Sequence, residues 1–268
     1  MPSDETGKVS FDHIYSQTDP RPFFRTLRPL EYGIPALAAP RFAALIDEYR
    51  VARGVPAPKL LDLGCSYGIN AALLRCDITL DELYDRYSRW EGSRAELLTA
   101  DRDLVRSRAR PERAWYAGLD ASAAALDYAV AAGYLDEAIR ADLEAGEPEP
   151  AQRDQIDGTD LVLSTGCIGY VTEKTLLRIV DAAGTRLPWM AHFCLRMFPY
   201  DAISGHLDDL GYETVTVGEP VRQRKFATRA EQSSVLDRLS ELGIDPTGWE
   251  SDGWFYAQLH ISRPRSSL

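Results

Sequence analysis

The chain has 268 residues, 45% hydrophobic and 26% charged, a mixture that fits one globular α/β unit and excludes a disordered or fibrous chain. Its formal net charge of −11 repels phosphate backbones, so no nucleic acid is expected as a partner. No stretch approaches the ~20 apolar residues that span a bilayer, and the polar opening MPSDETGKVS has no apolar run behind it, so neither a membrane nor secretion is expected. Cys65, Cys76, Cys167 and Cys194 show neither CxxC nor Cys/His ligand spacing, which argues against a disulfide framework and a zinc site and fits a reducing cytoplasm.

Residues 1–40 read as an N-terminal arm in which aromatics alternate with prolines and basic residues, without a sustained period. Phe11, Tyr15, Phe23, Phe24 and Tyr32 need something to cover, so the arm is expected to act as a lid. Within it His13 and Tyr15 are candidates to deprotonate or orient a substrate, although aromatics in such a segment also simply pack. Arg21, Arg25 and Arg28 suit a carboxylate, against the plainer reading as solvated charges.

From Pro40 the spacing of Phe42, Leu45, Ile46 and Tyr49 predicts a helix, stopped by Gly54, Pro56 and Pro58. The run LLDLG predicts a buried strand over 59–63, which SYGINAALLRC turns sharply into a helix. Residues 77–114 read as a helical insertion. Trp115 to Leu119 predicts a second strand ended by Asp120, followed by an Ala-rich helix from Ser122 to Gly133. Ala138 to Leu143 reads as a very short third strand, GEPEPAQRDQIDG as a surface loop and DLVLSTG as a fourth strand. A helix over Thr172 to Ala183 follows, then strands at MAHFCLRM, YETVTVG and WFYAQLHIS, with helices near 200–210 and 228–242. The basic stretches Arg102 to Arg113 and Arg222 to Arg229 read as solvated faces, with the flank of a small acidic ligand as the alternative, and His192, His206 and His260 as structural. The alternation predicts a single α/β domain of Rossmann-like form, its mostly parallel sheet covered by helices on both faces.

Ligands of such sheets collect beyond the carboxyl ends of the strands. Those positions hold Asp62, Gly64, Cys65, Ser66, Tyr67 and Gly68 after the first strand, and Asp120, Ala121 and Ser122 after the second. Asp142 and Leu143 follow the third, and Ser164, Thr165, Gly166 and Cys167 the fourth, with Tyr170 a few residues further on as a third catalytic candidate or a capping aromatic. Gly64 and Gly68 allow backbone amides to approach a ligand, and Asp120 suits the two hydroxyls of a ribose, which implies an adenosine-like ligand. A dinucleotide fingerprint GxGxxG is absent.

LLDLGCSYG resembles the first motif of the class I S-adenosylmethionine (SAM)-dependent methyltransferases. On that resemblance the fold is the class I methyltransferase fold and SAM is the cofactor. Asp62 and Gly64 would then lie at its methionine part, Asp120 at its ribose and Asp142 with Leu143 at its adenine, with Cys65, Gly68, Ala121 and Ser122 also at the cofactor. Ser164, Thr165 and Gly166 would pass beneath the methyl donor. Ser66 stands where the family's turn usually has its central glycine, and the Asn/Asp-Pro-Pro-Tyr/Phe run of many amino-group methylases is missing. The expected reaction is methylation of an oxygen or carboxylate on a small molecule of specialised biosynthesis. The alternatives are a SAM-consuming cyclase of the azetidine-2-carboxylate synthase type, which releases methylthioadenosine, and a non-catalytic SAM-binding protein; a homodimer is left open.

Overall fold

Leu60 to Leu63 are buried on both faces of the first strand, β1 (Lys59–Leu63), because apolar side chains alternate to either side and helices cover each. On one side β1 pairs in parallel with β2 (Trp115–Asp120), which pairs with β3 (Glu137–Arg140). On the other side it pairs with β4 (Leu161–Ser164) and, beyond that, β5 (Trp189–Leu195), again in parallel. The sheet ends in β6 (Tyr212–Lys225) and β7 (Trp254–Pro264) and runs β3-β2-β1-β4-β5-β7-β6, with β7 antiparallel to both neighbours. This seven-stranded, mostly parallel sheet with helices on both faces is the Rossmann-like class I methyltransferase fold. The protein is described here by a computed structural model, over residues 12–111 and 114–265; Phe11 of the aromatic arm and Arg113 of the first basic stretch lie outside the described residues.

The arm begins with α1 (Asp12–Tyr15) and α2 (Arg21–Leu27) and leads into α3 (Ile34–Arg53). The third helix thus starts six residues before Pro40, correcting the boundary drawn there. Pro35 occupies the first turn, where a missing N–H costs nothing, and Ile34, Ala38, Phe42, Leu45 and Tyr49 form one buried stripe that carries the helix through Pro40. After β1 come α4 (Ile69–Arg75), α5 (Leu80–Arg89) and α6 (Arg94–Arg108). Helices α5 and α6 each open in a capping box, Thr79 with Glu82 and Ser93 with Glu96. Ser122 caps α7 (Ala123–Ala132), and Gly133 ends it with φ 85°.

Two further expectations are corrected. The third strand ends at Arg140 because the Asp142 carboxylate accepts the amides of Glu144 and Ala145, which curls the chain away from the sheet. The expected surface loop contains α8 (Pro150–Ile156), which has Pro150 in its first turn, a box between Glu149 and Gln152, and Ile156 fully buried. The remaining helices are α9 (Glu173–Ala182), α10 (Asp201–Asp209) and α11 (Arg229–Glu241). Buried residues of α3, α4, α7 and α11 cover one face of the sheet, and those of α8, α9 and α10 the other. A third apolar cluster joins the arm to α4, α5, α6 and α7. Among the described residues no helix is long and apolar enough to cross a membrane.

Candidate functional site

The turn after β1 is built from left-handed backbone at Gly64 (φ 67°), Ser66 (φ 49°) and Gly68 (φ 73°). Gly64 is required sterically, since a Cβ there would sit 2.7 Å from the Cβ of Cys167. Gly64 N–H donates to the carbonyl of Leu119 at 2.8 Å, so the turn is fastened to the end of β2. Asp120 completes the join: its Oδ2 accepts the amide of Ser66 at 2.9 Å and its Oδ1 that of Ser122 at 2.8 Å. One carboxylate therefore holds two loops at the carboxyl ends of adjacent strands.

These loops open into a cavity of about 850 Å³. Of the residues expected at a site, Gly64, Cys65, Asp120, Ala121, Ser122 and Asp142 line it, as do Leu143, Thr165, Gly166, Tyr15 and Tyr170. Asp62, Gly68 and Ser164 do not reach its wall. Asp62 lies buried behind Asn70, whose Nδ2 donates to Asp62 Oδ1 at 2.9 Å and to Thr165 Oγ1 at 3.1 Å. Gly68 packs against α7, and Ser164 bonds His192 Nδ1 at 2.8 Å in the interior. His13 is exposed and absent from the cavity, with its carbonyl taken by Ser16 and Gln17; the arm presents Tyr15 instead.

The arm's arginines are corrected too. Arg21 pairs with Asp19 and the carbonyl of Gly92, Arg25 bonds the carbonyls of Ser88 and Trp90, and Arg28 pairs with Asp85, so all three fasten the arm to α5 and the loop after it. Tyr67 donates its hydroxyl to the carbonyls of Ile14 and Gln17 at 2.8 and 3.0 Å, and Ser122 Oγ donates to the carbonyl of Tyr15 at 2.5 Å. The turn after β1 and the cap of α7 thus hold the arm over the cavity. The second basic stretch is not wholly solvated either: Arg224 is buried on β6 and paired in bidentate fashion with the buried Glu231.

Sequence reasoning missed Asn70, Glu144, Thr175, Gln223 and Arg224 among the lining residues. Asn70 was within reach of it, in the first turn of the helix that Gly68 opens. Gln223 was not, because its place depends on a register shift in β6.

Burial raises the Asp62 carboxyl to about 7, opposed by its bond from Asn70 and helped by the nearby charge of Asp120. Asp62 Oδ2 and Ser66 Oγ are buried without a hydrogen-bond partner. Burial also raises the Tyr32 phenol well above its usual value and the Cys167 thiol to about 12, and lowers His192 to about 3, so the thiol and imidazole stay neutral. Desolvation works against the Glu144 carboxylate, yet bonds from Thr172 and Thr175 hold its pKa below the usual range. Asp62, Asp120, Asp142 and Glu144 make this end of the molecule acidic, and Arg224, the cation on the described wall, is matched by Glu231.

No protein-family model matches the chain, and no curated protein matches it. Among solved structures it is similar to a SAM-dependent methyltransferase from Geobacter sulfurreducens in complex with S-adenosylhomocysteine, at 13% identity over 82% of this chain and 90% of that one, TM-score 0.38. A TehB-like SAM-dependent methyltransferase from Corynebacterium glutamicum shares 15% identity over 82% of this chain and 86% of that one, TM-score 0.41. The plantazolicin methyltransferase BpumL, in complex with a monoazolic desmethylPZN analog and SAH, shares 13% over 95% and 90%, TM-score 0.40.

Proposed function

We propose that this chain is a SAM-dependent methyltransferase acting on a small molecule, with an oxygen or carboxyl group as the methyl acceptor. The observation that carries the reading is the Asp120 carboxylate, fixed by the amides of Ser66 and Ser122 at the wall of a cavity whose neighbouring charges are also acidic. A ribose suits that carboxylate, and a ligand bearing a sulfonium and an ammonium suits its surroundings. A dinucleotide would instead bring a diphosphate against Asp62 and Asp120. Gly64 leaves room for close approach, and Leu143 offers an apolar face to an adenine near Asp142.

SAM supplies a methyl group activated on sulfur. The protein's part is then alignment and exclusion of water. Tyr15, Phe23 and Tyr32 present aromatic faces to the cavity, attract a cation through their ring quadrupoles, and belong to the arm that closes it as a lid. Tyr15 and Tyr170 are the hydroxyl-bearing groups nearest in kind to an orienting or proton-accepting role. The whole chain acts as one domain in this reading. Its four free cysteines suit a reducing cytoplasm.

A second reading keeps the ligand and changes the bond made: the α-amine of SAM attacks its own γ-carbon, a C–N bond forms, the C–S bond breaks, and methylthioadenosine leaves. The aromatic faces of Tyr15, Phe23 and Tyr32 on the cavity wall suit it, since they hold the sulfonium away from water while the amine attacks. Chromatography of reactions with SAM alone and with an acceptor panel separates the two. Methyl transfer gives S-adenosylhomocysteine that depends on an acceptor. Methylthioadenosine from SAM alone overturns the first reading in favour of the second.

A further inference from the structure

Gln223 belongs to the cavity through an irregularity of β6. Arg222 pairs with Tyr256 and Arg224 with Phe255 on β7, leaving Gln223 as the extra residue of a bulge. Bulges re-aim a side chain, and this one is held from both sides. Arg224 is locked to Glu231 by two bonds of 2.7 and 3.0 Å, and the Gln223 carbonyl accepts the amide of Gly33 in the arm at 2.9 Å. The side chain is 3% exposed and lines the cavity beside Gly166, whose ideal Cβ would lie 3.1 Å from Gln223 Nε2. Its carboxamide faces the cavity, where a ligand can meet it.

The neighbouring amide and guanidinium are engaged elsewhere. Both N–H bonds of the Asn70 amide go to Asp62 and Thr165, and the Arg224 guanidinium serves Glu231 and the carbonyl of Lys225. The ammonium of a zwitterionic amino acid entering this end would be drawn by the field of Asp120 on the wall and of Asp62 behind it. Its carboxylate needs a donor, and Gln223 Nε2 is a side-chain N–H on the described wall that can provide one.

We propose that Gln223 binds the α-carboxylate of the amino-acid portion of SAM, so that the bulge in β6 selects a ligand carrying that portion over the bare thionucleoside. This rests on the SAM reading given above. Titration calorimetry of the full chain with S-adenosylhomocysteine and with methylthioadenosine, which lacks the amino acid, tests it. Gln223→Ala should weaken S-adenosylhomocysteine about 10-fold or more, the range for a bond to a charged group, and Gln223→Glu should weaken it further by opposing two carboxylates. Both variants should bind methylthioadenosine within about 2-fold of the parent, which also shows that they fold. Unchanged S-adenosylhomocysteine affinity in Gln223→Ala, or equal losses for the two ligands, overturns the role of Gln223 and leaves the SAM reading standing. A parent protein that binds neither ligand overturns both.

Discussion

Burial holds the Asp62 carboxyl near 7, whereas an unfolded chain releases that proton near 3.9. Between those values the folded protein keeps a proton that the unfolded one loses, so this group's contribution is complete below about pH 4 and declines as pH rises toward about 7. Asp62→Asn cannot ionise and should therefore gain on the parent as pH rises. In urea unfolding of ligand-free protein the stability difference should shift by about 2 kcal/mol between about pH 5 and pH 8, and parallel pH curves would contradict the buried ionisation. Ser66 makes a second case. A side chain in left-handed backbone, with its hydroxyl buried and unpartnered, is strained where glycine would not be. Ser66→Gly should stabilise the ligand-free protein by about 1 kcal/mol, read as a rise in thermal midpoint; a fall would mean that the serine hydroxyl is satisfied in solution.

At the scale of elements, the arm is part of the core rather than a loose cover. Ile14, Phe23, Phe24 and Leu27 are at most 2% exposed, and Phe24 stacks on Tyr87 of α5 with centroids 4.6 Å apart. Phe24→Ala should cost about 3 kcal/mol in denaturant unfolding, against well under 1 kcal/mol if the arm were merely laid on the surface. Tyr67→Phe keeps the packing and removes the hydroxyl that bonds the carbonyls of Ile14 and Gln17. It should cost about 1 kcal/mol and speed amide exchange in residues 14–17, and unchanged exchange there would show that other contacts hold the segment. The aromatics that mark the arm as a covering segment were legible in the sequence. The start of α3 was hidden by Pro40, and α8 by a run of prolines and acids whose Pro150 opens a helix rather than breaking one. In both, burial of a stripe or of Ile156 outweighs what the local composition suggests.

For the whole molecule, the alternation of apolar runs and helices was enough to foresee a mostly parallel sheet. The small or acidic residues that close β1, β2 and β4 marked where its ligand end lies. The antiparallel β6–β7 edge was not legible, because pairing direction depends on how the chain returns after α10 and α11 and not on the apolar pattern of either strand. Gln223 was lost for the same reason, as were the arginines Arg21, Arg25 and Arg28, whose partners lie about sixty residues or more away except for Asp19. Everything functional depends on a nucleoside sugar resting on Asp120. A crystal structure of the chain grown with S-adenosylhomocysteine tests this most directly. Both ribose hydroxyls should lie within hydrogen-bond distance of the Asp120 carboxylate, with the amino-acid end toward Asp62 and Asn70. A ligand bound elsewhere, or a sugar held by another residue with Asp120 still closed on Ser66 and Ser122, would contradict it.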